Sequence, residues 1–349
     1  MTRAQLQVFL TRDHVLEQIL DDLALDLSAL GIRVIRGPES RPGEKTLYPP
    51  EDWPRLFGKT DVAVFTSRGI ASAELMRASP RLRGIVNVAI GLETVDLKAA
   101  DELGIIVGHG AVPENYLGMA EAAVMLILNL RYQLRATEQV LRGQRQRPPA
   151  RPEAQHARML YGSTVGMLGF GRIAGAVANR LRPFGVTMIS HSPTTRPDRF
   201  PEDVTQVDFD TLMRKSDIVA IFAESNSSTR GMIDERALSL MKPTAYLLNV
   251  ARGDLLDEAA VERALRERRI AGAALDVSQV EPLPMDSPLR TLDNAILTPH
   301  MVGHTLELFE ALAPAALENI TRILRGDLPL YCKNPHIEQK WRERLALLA

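Results

Sequence analysis

The stretch Thr164-Val165-Gly166-Met167-Leu168-Gly169-Phe170-Gly171-Arg172-Ile173-Ala174-Gly175 constrains the fold more than any other part of the chain. An apolar run that reads as a short strand ends in a glycine pair. A helical pattern starts at once, with Ile173, Val177, Leu181 and Phe184 recurring at helical spacing. Gly169 permits a tight turn, and Gly171 lets backbone approach a pyrophosphate. The helix N-terminus then offers N–H groups and the positive end of its dipole to phosphates. Ala174 stands at the third glycine position, with Gly175 next, and alanine still lets helix and strand pack closely. A glycine pair alone is often only a turn. With a strand before it and a helix behind it, the loop reads as a dinucleotide-binding βα unit.

Strands alternate with helices along nearly the whole chain, the pattern of an α/β protein with parallel sheets. Gln5–Leu10, Arg33–Ile35, Asp61–Thr66, Gly84–Val88 and Ile105–Val107 read as strands, with helices over Val15–Leu30 and Ala73–Ala78 between them. A second series starts at the glycine loop: Thr164–Leu168, Thr187–Ser190, Ile218–Ala223, Ala245–Val250, Gly272–Val277 and Ala295–Thr298. Asn115 to Leu141 reads as one long connecting helix and Thr305 to Arg325 as another. The tail from Pro329 to Ala349 is expected to return to the first domain. The Pro-rich insert Gly37 to Trp53 is expected to be a surface loop. The segment Arg142 to Arg158, rich in Arg and Pro, reads as a solvated loop rather than an anion site.

A chain of 349 residues exceeds one ordinary domain, and 45% hydrophobic residues suffice for two cores. A net charge of −1 offers no electrostatic reason for a nucleic-acid or anionic-membrane partner. Cys332 is the one cysteine, so no intramolecular disulfide forms; it reads as an inert thiol in a reducing compartment. No apolar run reaches the roughly 18 residues of a membrane span, and the opening residues do not read as a signal peptide. A soluble cytoplasmic protein with no metal site is expected.

In an open α/β sheet, ligands bind beyond the carboxyl ends of the strands. Three polar side chains fall there in the second series. Arg252 follows Tyr246-Leu247-Leu248-Asn249-Val250, Glu281 follows Ala274-Leu275-Asp276-Val277 after a short loop, and His300 follows Ile296-Leu297-Thr298-Pro299. Reducing a ketone leaves negative charge on oxygen and requires a proton. A histidine can supply it near neutrality, a carboxylate beside it fixes the tautomer, and a guanidinium grips a carboxylate in bidentate fashion while polarising the adjacent carbonyl. The set suits a 2-keto or 2-hydroxy acid. Each residue alone also has a plainer reading: His300 as a capping or core histidine, Glu281 as a surface loop residue, and Arg252 as a surface partner of Asp254 or Asp257.

The chain resembles the D-isomer-specific 2-hydroxyacid dehydrogenases, the family of phosphoglycerate, glyoxylate/hydroxypyruvate and D-lactate dehydrogenases. The matching stretches are Val165–Gly171, Met241-Lys242-Pro243, Asn249-Val250-Ala251-Arg252-Gly253-Asp254, Gly272–Val277 with Glu281-Pro282-Leu283-Pro284, and Thr298-Pro299-His300. Val95-Asp96-Leu97, Gly104-Ile105, Asn115 and Ala120-Glu121 fit as well, so the likeness runs from about residue 60 to 335. It implies two doubly wound, Rossmann-like parallel-sheet domains with a cleft between them. A flavodoxin-like substrate domain would comprise 1–114 and 305–349, and a dinucleotide-binding domain 115–304. It also implies that Arg252 binds substrate carboxylate and carbonyl, that His300 is the acid in reduction and the base in oxidation, and that Glu281 pairs with His300. The turn Ala89-Ile90-Gly91 would bind the substrate carboxylate through backbone N–H groups. The implied cofactor contacts are Gly169, Phe170, Gly171, Arg172, Ile173, His191, Ser192, Arg196, Ala223, Thr229, Val250, Ala251, Asp276 and Gly303, with Asp276 near the nicotinamide carboxamide. A homodimer through the cofactor domain and the Asn115–Leu141 helix is implied too.

Several positions depart from the family pattern. NAD-specific proteins place an acid at the end of the second strand of this unit, roughly 20 residues after the glycine loop; here the chain reads Ser190-His191-Ser192-Pro193-Thr194-Thr195-Arg196, with Ser192 in the acidic place. Ser192, Thr194 and Arg196 can hydrogen-bond a 2′-phosphate, so NADP is favoured over NAD. The contrary reading has Arg196 pointing away and Asp198 reaching the ribose. Glu224 replaces the usual proline after Ile218–Ala223, which weakens that preference. Ala89, Glu93, Thr94 and Ala122 replace residues common in the family, leaving the substrate side chain open. Arg68 can reach a second anionic group on the substrate or be solvated. The favoured function is a nicotinamide-dependent 2-keto acid reductase. A dinucleotide-sensing corepressor or scaffold on the same fold, and an oxidoreductase of formate or phosphite, are the alternatives.

Overall fold

The structure, a computed structural model, describes residues 5–150, 156–193, 198 and 200–348. The chain divides into two compact units, Met1–Asn115 with Thr305–Ala349, and Tyr116–His304. Among the described residues no helix is long and apolar enough to cross a membrane.

The first unit is built on five parallel strands, β1 (Gln7–Leu10), β2 (Arg33–Arg36), β3 (Val62–Phe65), β4 (Gly84–Asn87) and β5 (Ile106–His109), in the order β2-β1-β3-β4-β5. Continuous burial along β1, β3, β4 and β5 is what a sheet covered on both faces requires. Alternate side chains go to opposite faces. Val8, Leu10, Val64 and Val86 pack with Leu20, Leu23, Ile320 and Trp341, while Phe9, Ala63, Phe65 and Ile85 pack with Phe57, Leu75 and Leu82. The C-terminal segment is part of this core. Trp341 is fully buried and its indole N–H donates to the Arg83 carbonyl at 2.8 Å. Asn334 accepts the Val107 N–H at 2.8 Å and donates to the Ile105 carbonyl at 3.1 Å, extending the hydrogen bonding of the β5 edge.

The second unit carries seven parallel strands: β6 (Thr164–Leu168), β7 (Thr187–His191), β8 (Val204–Gln206), β9 (Ile218–Ile221), β10 (Tyr246–Asn249), β11 (Gly272–Leu275) and β12 (Ala295–Leu297). Their order is β12-β11-β10-β9-β6-β7-β8. The chain winds outward from β6 through β7 to β8, then restarts on the other side with β9. The reversal lies between β6 and β9, and the glycine loop leaves the carboxyl end of β6, where this class of sheet binds ligands.

Two local expectations are corrected. The long connecting helix is two helices, Pro113–Tyr132 and Leu134–Leu141, with Gln133 between them at φ 52°. The Arg131 carbonyl accepts the Arg158 N–H at 2.8 Å and the Gln133 side chain donates to the His156 carbonyl at 3.1 Å, so a distant segment takes over bonding at the break. The Pro-rich insert is not wholly a surface loop. Tyr48 is buried at 5% exposure, its hydroxyl lies 2.6 Å from the Thr11 hydroxyl, and a short helix spans Trp53–Leu56. The edge strand β8 was not foreseen; Val204 is its one buried residue, and one apolar position makes no alternating pattern.

Candidate active site

The glycine loop is shaped by two constraints at Gly169. Its φ is +85°, and a Cβ there would lie 2.8 Å from the Cα and N of Ala223, which follows β9. At Gly171 a Cβ would meet nothing within 4 Å, so the loop faces open space on that side. Gly171 caps the helix Arg172–Leu181, which has no side-chain cap at its N-terminus. Ala174 is fully buried against the sheet. An open cradle of helix N–H groups beside a residue without a side chain fits a dinucleotide pyrophosphate.

Phe170 stacks on Phe200 with ring centroids 4.7 Å apart, and its N–H donates to the Ser192 hydroxyl at 3.1 Å. Ser192 is buried at 5% exposure, so its hydroxyl braces the glycine loop. His191 Nδ1 meets the Val207 carbonyl at 3.1 Å, and its ring lies edge-on to Phe209. Thr229 donates to the Glu224 carbonyl at 2.7 Å and accepts the Asn226 N–H at 2.9 Å, closing the loop after β9. Thr194 and Arg196 lie outside the described residues. Gly303 packs so tightly that a Cβ would sit 2.0 Å from the Met119 sulfur.

Two asparagines, each fully buried at the end of its strand, shape the turns that follow. Asn249, ending β10, accepts the Ala251 N–H at 3.0 Å and donates to the Arg252 carbonyl at 2.8 Å, folding Val250 and Ala251 into a tight turn. Asn87, ending β4 in the first unit, accepts the Ala89 N–H at 2.9 Å and donates to the Gly91 carbonyl at 2.9 Å. The Ala89 carbonyl accepts the Gly110 N–H at 3.1 Å. The Ala89-Ile90-Gly91 turn is thus pinned at both ends. Sequence reasoning passed over both asparagines as turn-builders, although a polar amide closing an apolar strand is the visible signal.

Arg252 leaves this turn in extended conformation, and its Nη1 donates to the Ala251 carbonyl at 2.7 Å. The two acids weighed as its surface partners are committed elsewhere. Asp254 accepts from Ser225 at 2.7 Å and from Arg230 at 3.2 Å, and Asp257 caps the helix Glu258–Arg266 through the Ala260 N–H at 3.0 Å. His300 Nδ1 lies 2.9 Å from Glu281 Oε2, with the two side chains 47% and 41% exposed. His300 is therefore not a core residue, and Glu281 is not a bare surface acid. Partial burial pushes the Glu281 carboxyl up. The His300 hydrogen bond and charge, the Ser278 N–H and the Arg252 charge outweigh it, so the carboxyl titrates below its usual range. An ionised carboxylate only accepts, so Nδ1 carries the proton of this bond.

Asp276 directly follows β11 and is 2% exposed. Its Oδ1 accepts the Thr298 hydroxyl at 2.7 Å and the N–H groups of Met301 at 3.0 Å and Val302 at 3.3 Å. In the first unit Arg68, considered for a second substrate anion, instead pairs with Asp13 at 3.0 Å; the Asp13 side chain is fully buried. Burial pushes the Asp13 carboxyl up, but the Thr66 hydroxyl, the Val15 N–H and Arg68 together hold it below the usual range.

A doubly wound sheet with a glycine cradle at its reversal, and a guanidinium with a carboxylate–imidazole pair at neighbouring strand ends, define a nicotinamide-dinucleotide oxidoreductase. Residues 124–302 match the family model described as D-isomer specific 2-hydroxyacid dehydrogenase, NAD binding domain. The chain is 35% identical over 290 residues to glyoxylate reductase of Thermofilum pendens, covering 80% of this chain and 85% of that protein. Among solved structures it is similar to a glyoxylate reductase from Paecilomyes thermophila, with TM-score 0.82 and 26% identity, covering 96% of this chain and 100% of that one. It is also similar to an NADPH-dependent glyoxylate/hydroxypyruvate reductase from Sinorhizobium meliloti, with TM-score 0.77 and 25% identity, covering 94% of this chain and 97% of that one. The chain belongs to the D-isomer-specific 2-hydroxyacid dehydrogenase family. It is an NAD(P)H-dependent reductase of small 2-keto acids.

Proposed function

We propose that the chain reduces a small 2-keto acid of the glyoxylate or hydroxypyruvate type, with His300 as proton donor. The observation that carries this reading is the 2.9 Å Glu281–His300 pair, with the charge of Arg252 acting on the same carboxylate. Glu281 holds Nδ1 and so aims Nε2 of His300 at the substrate oxygen as that oxygen takes on negative charge. The Arg252 guanidinium grips the substrate carboxylate and polarises the neighbouring carbonyl. The Ala89-Ile90-Gly91 turn, kept in shape by Asn87, would offer backbone N–H groups to a carboxylate.

The dinucleotide supplies the hydride. Gly169, Phe170, Gly171, Arg172 and Ile173 would hold its pyrophosphate. Ala223, Thr229, Val250 and Ala251 would border the ribose and adenine side, and Gly303 the nicotinamide side. Asp276 would meet the carboxamide through Oδ2, since Oδ1 already takes three donors. NADP is favoured over NAD. The preference rests on Ser192 standing where an acid would meet the ribose, with Thr194 and Arg196 after it; the Ser192 hydroxyl accepts the Phe170 N–H and can still donate its own proton. A homodimer through the helices Pro113–Tyr132 and Leu134–Leu141 fits their exposed apolar side chains, among them Met125 at 47%, Leu134 at 61% and Leu141 at 89%. A cytoplasmic location fits the single cysteine.

The test is a matrix of glyoxylate, hydroxypyruvate and phenylpyruvate against NADPH and NADH, read by loss of reduced-nicotinamide absorbance. Turnover of the small acids, faster with NADPH, is the expected result. Tight cofactor binding with no turnover of any acid would refute the reading and favour a dinucleotide sensor.

A further inference from the structure

His300 occupies a backbone conformation that a side-chain-bearing residue does not hold unaided. Its φ is +57°. Such a left-handed residue costs roughly 1–2 kcal/mol unless the surroundings over-determine it. Three backbone hydrogen bonds around it converge on Asp276. The His300 N–H donates to the Asp276 carbonyl at 2.6 Å, and the next two N–H groups, of Met301 and Val302, donate to Asp276 Oδ1 at 3.0 and 3.3 Å. A third donor to the same Oδ1 is the Thr298 hydroxyl, at 2.7 Å, from two residues before His300.

We infer that Thr298 is a positioning residue for the reaction. Its hydroxyl locks the Asp276 carboxylate, the carboxylate holds the left-handed bend, and the bend aims the His300 ring at Glu281. This rests on the reading of His300 as proton donor and adds a residue to it. Thr298 touches neither His300 nor Glu281 through its hydroxyl; its effect passes through the loop. Without the hydroxyl, the Asp276 carboxylate keeps only the Met301 and Val302 N–H groups, the bend loosens, the strain at His300 relaxes toward negative φ, and the imidazole leaves Glu281.

The test compares Thr298→Val, which keeps the shape and removes the hydroxyl, with Thr298→Ser, which keeps the hydroxyl. Misplacing a reacting group by about an ångström costs up to ~10²-fold, so Thr298→Val is expected to lower kcat roughly 10-fold. Thr298→Ser restores most of it. In a His300→Gln background Thr298→Val adds little further loss, because the group it positions is already gone. A merely structural role predicts full additivity and no rescue by serine. The Nδ1 proton resonance of His300 gives a readout independent of turnover. It is present in the unsubstituted protein and in Thr298→Ser, and is lost in Thr298→Val. Should the valine variant melt early, Thr298→Ala carries the same comparison. Wild-type kcat together with a retained Nδ1 resonance in Thr298→Val overturns the inference, as does failure of serine to rescue. Absence of turnover in the unsubstituted protein would instead strike the keto-acid reading and leave the resonance to decide the role of Thr298.

Discussion

Gly169 and Gly175 belong to the same motif and should respond oppositely to the same methyl group. At Gly169 an added Cβ meets two penalties: φ is +85°, and the Cβ would lie 2.8 Å from backbone atoms of Ala223. The left-handed conformation costs roughly 1–2 kcal/mol, and a forced backbone shift in a packed region costs roughly 1–3 kcal/mol more. Gly169→Ala is therefore expected to destabilise the second unit by about 2–5 kcal/mol. For a unit of this size that is a fall in Tm of roughly 4–20 °C. Gly175 sits inside the helix Arg172–Leu181 at ordinary φ, and a Cβ there meets nothing within 4 Å. Gly175→Ala should be neutral or stabilising by up to about 1 kcal/mol, through helix propensity. The assay is denaturant and thermal unfolding of both variants, followed by cofactor titration. Gly169→Ala should also weaken dinucleotide binding, because moving Ala223 distorts the cradle. A Gly169→Ala protein as stable as the parent, or a Gly175→Ala protein that loses stability, would refute the reasoning.

Arg252→Ala should abolish keto-acid turnover while the dinucleotide still binds, measured by steady-state kinetics beside cofactor fluorescence titration; retained affinity for the keto acid would remove Arg252 from its role. Glu281→Gln tests the depressed carboxyl. A group whose folded value lies below its unfolded one contributes stability above the unfolded carboxylate value of about 4.3, and loses it as pH falls through the folded value. The stability difference between parent and Glu281→Gln should therefore be steady near neutrality and shrink below about pH 4, followed by urea unfolding across pH. A difference that grows on acidification would contradict the sign of the shift.

The readability of this chain differed by level. The glycine loop was legible because its residue types answer local demands: φ at Gly169 and open space at Gly171 are properties of one turn. The parallel sheets were legible because strands buried on both faces leave continuous apolar runs. Arg252, Glu281 and His300 stood out because charged groups just past apolar strands are uncommon. What stayed hidden depends on distant partners. The break at Gln133 requires Arg158 to claim the Arg131 carbonyl, from a segment with no periodic signal. The pairing of Arg68 with Asp13 joins residues 55 positions apart, so no local pattern announces it. The direction of Ser192 into the glycine loop follows from the register of β6 against β7. The bend at His300 is invisible in the Thr-Pro-His motif because Asp276 imposes it from the neighbouring strand.

The central claim is that His300 delivers the proton in reduction of a 2-keto acid. Steady-state reduction of glyoxylate by His300→Gln, beside its cofactor affinity, tests it most directly. Loss of general acid catalysis predicts turnover lowered about 10²-fold or more with cofactor affinity intact. Turnover equal to that of the parent protein would contradict it.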